Sequence, residues 1–461
     1  MTAQAVSESV APPLLFRDSA FGQNKRDAIH RWVPWIAGFS AGFVADTFRH
    51  YLPDPDRRDV AVLEPFSGVG TTLVEGLLHG YDVTGFEVNP YAALASRVKC
   101  SAFTIEPGDL LHAIIVFEHK ARQRTCSLDQ AFVAGGDSLS CQPTPRAQAP
   151  KLFRSRVPFL SPTIERKVLH CLDVISEMPD VNIRDLASLA FGAILVQVSN
   201  YSYEPSLGSR VAAGKPEVPN ADVVEILVAK LRSMHDDLVG YGVAMRRYYP
   251  LPTAQVFAES SLNMPAHIPP ASADIVVTSP PYLNNYHYIR NTRPHLFWLN
   301  FVAAPSDLRA IETANFGKYW QTVRDAPRAH LDFHLPELKS RIDAIADMRP
   351  EKGVYGGKGW ANYAVEYFSD CRRICEGLQY VLKPGGAAVF VLGNSIVQGV
   401  ELATDQYFGQ IGEMCGLDLE DIHLLRQKRI GNSVVNSSVR NGEATKATLY
   451  ETAVVLRKIR T

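Results

Sequence analysis

The sequence predicts an α/β fold: a doubly wound sheet, closed by an antiparallel strand and interrupted by a mainly helical insertion. Three observations predict it. The run DVAVLEPF, Asp59 to Phe66, is β-branched and apolar, and it breaks into the glycine turn SGVGTT before the helical pattern LVEGLLHG. The next stretch repeats the alternation, with YDVTGFEVNP as a strand ending at an acidic residue and YAALASRVKC as its helix. Strand signals then stop and resume only near residue 250, so the sheet draws on two separated parts of the chain.

The interval Ile105 to Tyr249 carries a Gly/Pro/Gln-rich stretch, GGDSLSCQPTPRAQAP, and then helical patterns at Thr163 to Glu177, Ile183 to Val198 and Ala221 to Arg247. It reads as an insertion, residues 105–249, between the halves of one discontinuous domain, 1–104 and 250–461. Strands resume at TAQVFAE, Thr253 to Glu259, and at ADIVVTS, Ala273 to Ser279. The helix-like YFSDCRRICEGLQYVL leads into the strand GGAAVFVLGNS, Gly385 to Ser395. TLYETAVVLRK, Thr448 to Lys458, is the closing antiparallel strand.

With 461 residues and a formal net charge of -1, the chain has room for a large core but no global field that attracts a polyanion. Any nucleic-acid surface must be local. Two stretches are locally basic: Lys120 to Arg156 has seven Lys/Arg against Asp129 and Asp137, and Arg426 to Arg460 has eight against Glu443 and Glu451. Either pattern also suits an ordinary solvated face. Seven cysteines without paired CxxC spacing argue against a disulfide framework and against structural zinc. The start MTAQAVSESVAPPLL lacks the basic and apolar segments of a signal peptide, so a reducing, cytoplasmic setting is expected.

A glycine turn between strand and helix lets backbone approach a ligand. GVGTTL lacks the third glycine of a dinucleotide site, and GxxxxGK[ST] is absent, so neither a nicotinamide cofactor nor a nucleoside triphosphate is favoured. The acidic residues at the two strand ends suggest another ligand. Glu87 is placed to accept both hydroxyls of a ribose, and Glu64 to face a positively charged amino group. Together they suit S-adenosylmethionine, which carries a ribose, an amino-acid tail and a sulfonium but no phosphate. The structural alternative has Glu64 capping the helix and Glu87 as a solvated strand end.

EPFSGVGTT followed by TSPPY resembles the two signature motifs of the amino-group DNA methyltransferases, which methylate cytosine N4 or adenine N6. Their first motif usually reads D-P-F-x-G-x-G-T-T, and Glu64 here replaces the Asp. The resemblance implies a Rossmann-like S-adenosylmethionine-dependent methyltransferase sheet, with Glu64, Pro65, Phe66, Gly68, Gly70, Thr71 and Thr72 at the cofactor turn. Glu87 matches the ribose acid, and Glu259 in VFAESSLNMP matches an acid near the adenine. IHRWVPWIAGFSAGFV, Ile29 to Val44, looks like the family's N-terminal cofactor segment.

In the second motif, the side-chain oxygen of Ser279 and the carbonyl of Pro280 are suited to accept the two hydrogens of a target amine. Pro280 and Pro281 stiffen the turn, and Tyr282 is suited to stack on a base turned out of the duplex. Tyr286, His287, Tyr288, Arg290 and Arg293 follow as a rim with possible phosphate contacts. LKPGGAAVFVLGNS resembles the strand behind the target pocket, with Asn394 in it. The motif order implies one of the circularly permuted groups, with target recognition in the insertion and a share for residues 300–360, where Trp320, Arg324, Arg328 and GVYGGKGW lie.

The expected function is therefore a site-specific DNA methyltransferase, with cytosine N4 preferred over adenine N6 because Ser rather than Asp opens the turn. Restriction-modification or DNA protection, with a cognate restriction nuclease as candidate partner, is the implied setting. An RNA guanine-N2 methyltransferase and a non-catalytic DNA-binding subunit on the same fold are the alternatives from other classes.

Overall fold

A computed structural model describes residues 16–460 except 18, 36–37, 53, 55, 137–141, 204–205, 284–286 and 429–447. The strands of its main sheet, numbered along the chain, are β1 Ala61–Glu64, β2 Asp82–Phe86, β3 Ala254–Phe257, β4 Ala273–Thr278, β5 Leu382–Gly393, β6 Leu417–Lys428 and β7 Leu449–Lys458. Their order across the sheet is β6, β7, β5, β4, β1, β2, β3. Strand β7 runs antiparallel to both neighbours, and the pairs from β5 through β3 are parallel. The doubly wound sheet with its closing antiparallel strand is thus present.

Alternation along the strands divides the apolar side chains between two cores. Val62, Val277, Val389, Val391 and Val455 enter one, while Leu63, Val276, Phe390, Leu392 and Val454 enter the other. A strand buried on both faces needs apolar residues at every position. In β4 every residue is buried, and ADIVVT meets that demand except at its ends, where Asp274 and Thr278 hydrogen-bond to other segments.

Helix α1 Ala41–Tyr51 precedes the sheet, and α2 Thr71–Leu78 and α3 Pro90–Ser101 follow β1 and β2. Asn89 caps α3 by accepting from the Tyr91 amide at 3.1 Å, and Pro90 supplies the preset first turn. The insertion folds as α4 Pro107–Val133, α5 Pro162–Ser176, α6 Val181–Leu195 and α7 Val223–Met245. Its Leu110, Phe117, Leu186 and Leu227 belong to the same continuous core as Val62 and Val277, so it is packed onto the sheet. From the second half of the chain, α8 Tyr288–Trp298 and α9 Pro305–Ala314 join this same core, while α10 Trp320–Val323, α11 Pro336–Ala346, α12 Gly357–Val381 and α13 Thr404–Met414 cover the other face. Val323 of α10, Leu338 of α11, Phe368 of α12 and Phe408 of α13 enter the second core.

Several elements go beyond the sequence reading, α4 and β6 among them. Helix α4 buries Leu110, Ile114, Phe117, Ala121 and Leu128, a stripe at helical spacing diluted by a long polar face. Strand β6 lies at the sheet edge, where a mixed polar sequence such as LDLEDIHLLRQK serves because only one neighbour pairs with it.

Candidate active site

The carboxyl ends of β4, β1, β2 and β3 lie side by side, and each delivers a segment to one cleft. Pro65 to Val69 follow β1, Glu87 follows β2, Glu259 follows β3 and Ser279 follows β4, all on the cleft wall. The chain changes direction across the sheet between β1 and β4, the place where open α/β sheets hold ligands. The cleft measures about 810 Å³ including its mouth. Trp35, Gly38 and Phe39 close one side, which puts the described part of Ile29 to Val44 on the wall.

Backbone conformation explains the glycines of the turn. Gly68 and Gly70 have φ of 50° and 84°, in the left-handed region. A Cβ on Gly70 would sit 3.1 Å from the Ser96 Cα, so this glycine serves the packing of the turn against α3. Gly68 and Thr71 line the cleft directly.

The two strand-end carboxylates differ in placement. Glu87 is half-buried on the cleft wall; its oxygens accept the Gly68 amide at 2.8 Å and the Asn89 amide at 2.7 Å. Burial pushes its carboxyl up to about 7, partly offset by hydrogen bonds from the Asn89 and Gly68 amides. A carboxylate has further lone pairs, so both amides leave room for ligand hydroxyls. Glu64 is 1% exposed and lies beneath the turn, off the cleft wall. It accepts from the Phe66 amide at 3.0 Å and from the Thr278 hydroxyl. Burial likewise pushes it up to about 7, against hydrogen bonds from Thr278 and Thr72, with the Glu87 charge adding to the rise.

The expectation that Glu64 faces a ligand amine is therefore not met by its position; a polar tie is what its burial requires. Thr72 joins this tie, donating to the Val277 carbonyl at 3.1 Å. Glu64, Thr72 and Thr278 thus fasten the glycine turn to the end of β4, one residue before Ser279.

The turn itself is held from β5 and beyond. Ser279 Oγ donates to the Val391 carbonyl at 3.3 Å and hydrogen-bonds with Tyr282, and Ser395 Oγ donates to the Leu283 carbonyl at 2.8 Å. Pro280 is buried, whereas Pro281 reaches the cleft. Tyr282 does not; it lines a second hollow of about 240 Å³ with Tyr319, Tyr363 and Tyr367. Burial raises the Tyr282 phenol, keeping it neutral. Pro281, Tyr288, Asn315 and Phe316 stand on both walls, so cleft and pocket adjoin.

Asn315, Phe316 and the three distant tyrosines were not among the sequence-derived site residues. The turn that carries Asn315, Phe316 and Tyr319 is fixed from α12, where Asp370 accepts the Gly317 amide at 3.0 Å and pairs with Lys318 at 3.5 Å. A sequence clue exists in ANFGK, a short polar turn between helical patterns, but nothing in it specifies the neighbour.

Other expected residues divide similarly. Glu259 reaches the cleft and pairs with His267 at 2.8 Å, and Ser260 lies beside it. Asn394 is structural: its amide donates to Glu401 and to the Thr448 carbonyl and accepts from the Tyr450 amide. His287 stacks on Tyr319 with centroids 3.9 Å apart, while Tyr286 lies outside the described residues. Trp320 stacks on Trp360, with Arg324 over its ring at 4.6 Å. Arg328 is engaged by Asp343 at 3.0 Å.

The basic stretches lose much of their apparent charge on folding. Lys120, Arg124 and Arg146 converge on Glu177, and Arg122 is held by Glu118, Asp222 and Glu225. Local counting missed Glu177, Asp222 and Glu225 because they come from other segments, and Glu118 because it precedes the counted stretch in α4. In the second stretch Arg426 pairs with Glu451 and Arg457 with Glu420, while Arg429, Arg440 and Lys446 lie outside the described residues.

No family model matches the chain. The Type II methyltransferase M.MvaI of Kocuria varians is 28% identical over 355 residues, covering 74% of this chain and 72% of the relative. The Type II methyltransferase M.BsoBI of Geobacillus stearothermophilus is 22% identical over 438 residues, covering 90% of this chain and 83% of the relative. Among solved structures, the rRNA methyltransferase aviRa from Streptomyces viridochromogenes aligns over 94% of this chain and 92% of its own, at 11% identity. Its TM-score of 0.28 is too low to bear on fold or function. Over 74% of its length the chain is thus similar in sequence to a Type II methyltransferase.

Proposed function

We propose that the protein is an S-adenosylmethionine-dependent DNA methyltransferase that modifies an exocyclic amine of a base turned out of the duplex, cytosine N4 in preference to adenine N6. The observation that carries this reading is the seat of the Ser279 to Tyr282 turn. Pro281 stands between a cleft edged by carboxylates and an aromatic pocket, so a methyl donor and a planar acceptor can meet across one residue.

The cleft fits the cofactor. Glu87 and Glu259 offer acceptors at adjacent strand ends, Trp35 and Phe66 offer apolar surface, and the left-handed backbone at Gly68 keeps the floor open. When bound, S-adenosylmethionine supplies an electrophilic methyl group. The chain's own residues do the positioning. The Ser279 hydroxyl spends its hydrogen on Val391, so its bond with Tyr282 takes one lone pair and leaves the other to accept from the target amine. The Pro280 carbonyl takes the second amine hydrogen. Held by both, the nitrogen leaves the ring plane and its lone pair becomes available for an in-line displacement, so no strong base is needed before attack. Tyr282 holds the ring by stacking, offsetting the few kcal/mol that base extrusion costs.

Ser at the head of the turn supports cytosine N4; adenine N6 is the alternative target. Relatives described as Type II methyltransferases support a restriction-modification or DNA-protection setting with a cognate nuclease. The test is to incubate the protein with labelled S-adenosylmethionine and DNA or RNA, digest to nucleosides and identify the product by mass spectrometry. N4-methylcytosine in DNA is expected. N6-methyladenine alone reverses the base assignment, label in RNA alone reverses the substrate, and no transfer to either sinks the proposal.

A further inference from the structure

We infer that Arg154, Arg156, Arg290 and Arg293 form a clamp for the phosphate backbone of the DNA substrate. The inference rests on the methyltransferase reading and specifies its substrate surface. These residues line a groove of about 1080 Å³, including its open side, whose described walls contain no Asp or Glu. Arg154 and Arg156 come from the segment between α4 and α5, whereas Arg290 and Arg293 belong to α8.

Pairing separates this groove from the other basic surface. The cations of α4 and Arg146 are engaged by carboxylates, as described above. The groove arginines have no salt bridge to a described residue. Arg154, Arg156 and Arg290 are exposed. Arg293 is half-buried against the rings of Phe153 and Phe297, at 5.4 and 5.9 Å, with an enclosed Nε that has no hydrogen-bond partner among the described residues. Stacking fixes a guanidinium plane while leaving its charge uncompensated. In a chain with formal net charge -1, concentrating in one groove four arginines that no described carboxylate pairs favours a polyanion there.

The groove is also mechanically tied to the active site. Its far wall includes the ribbon Tyr201–Tyr203 and Leu207–Ser209, fastened to α8 where Asn291 accepts the Leu207 amide at 3.1 Å and the Tyr203 hydroxyl at 3.3 Å. Tyr288, the first residue of α8, lines both the cleft and the aromatic pocket. One helix therefore runs from the reacting centre to the clamp. A strand gripped by Arg290 and Arg293 is held in a fixed relation to the pocket that receives its base.

The test compares the double variants Arg154→Gln/Arg156→Gln and Arg122→Gln/Arg124→Gln with the parent, using duplex DNA that the parent methylates and a range of salt concentrations. Loss of two phosphate contacts should make the slope of log affinity against log salt shallower by about 2, whatever the DNA sequence. The expected result is that change in the groove variant, little change in the α4 variant and unaltered cofactor binding in both. Arg293→Lys, which keeps the charge but loses the planar stack, should weaken DNA binding less than the double groove variant. Parent-like salt dependence in the groove variant, with parental DNA methylation intact, overturns the clamp and leaves the proposed function standing. A parent that methylates no DNA sinks the proposed function, and the clamp with it.

Discussion

The cleft and the aromatic pocket share Pro281, Tyr288, Asn315 and Phe316, yet they are built by different means. The cleft is made largely by short contiguous turns at the ends of neighbouring parallel strands, with carboxylates and the left-handed Gly68 on its wall. The pocket gathers tyrosines from the Ser279 to Tyr282 turn, a loop after α9 and the body of α12. A local turn constrains its own backbone wherever it lies, whereas an aromatic pocket exists only after distant segments pack. The two hollows should therefore respond differently to substitution.

The largest effect is expected at the pocket. Tyr282→Ala should lower methyl transfer roughly 100-fold or more by removing the stacking surface for the base, with cofactor affinity within about twofold of the parent. Tyr282→Phe keeps the ring and loses only the hydrogen bond with Ser279, so a loss of about threefold to tenfold is expected. Single-turnover rates and equilibrium cofactor binding measure the two quantities. Parallel losses in both would break the division between hollows.

At the cleft, Glu87→Ala should weaken cofactor binding about 10- to 100-fold, because a carboxylate acceptor for hydroxyls is removed. Turnover at saturating cofactor should change much less. An unchanged cofactor affinity removes Glu87 from the ribose role.

Proton linkage sharpens the same point more finely. Glu87 is pushed up to about 7, so near neutrality a fraction of the molecules must release a proton to present the carboxylate. If the bound hydroxyls favour the ionised form, cofactor affinity rises between about pH 6 and 8, by a factor approaching ten at most, with proton release on binding. Calorimetry in buffers of different ionisation enthalpy detects that release. Glu87→Gln should flatten the profile, and a profile equally steep in the variant would assign the proton elsewhere.

The last effect falls on stability rather than on activity and concerns Glu64, which ties the glycine turn to the end of β4. Its folded value, about 7, is raised above the usual carboxylate value of 4.5. The favourable contribution of its protonated form is therefore complete below about pH 4.5 and is lost as pH rises through about 7. Glu64→Gln, a neutral mimic of that form, should reduce the fall in unfolding free energy between pH 5 and 8 by on the order of 2 kcal/mol. Denaturant titrations across that range measure it; an unchanged pH slope would exclude Glu64 as its source.

Much of the cleft was legible because its constraints are local. The glycine turn after an apolar strand, the acid at the next strand end and the stiff Ser-Pro-Pro-Tyr turn each occupy a few consecutive residues. Their backbone demands are visible in composition. Glu64 shows the limit of that reading: its position was evident, but whether it faced ligand or protein depended on Thr278, which β4 brings from the far side of the insertion. The basic count over Lys120 to Arg156 shows the same limit, since Glu177, Asp222 and Glu225 neutralise charges that look free along the chain.

By itself, the sequence determined the alternation of strands and helices, the place of the insertion and the two turns that border the cleft. Hydrophobic period, glycine and proline act over a few residues and leave a direct trace. Only the tertiary structure decided that Asn315, Tyr319, Tyr363 and Tyr367 complete the pocket around Tyr282, and that Arg154 and Arg156 share a groove with Arg290 and Arg293. Those neighbours are set by packing between segments far apart in the chain, which imposes no spacing on the residues it joins.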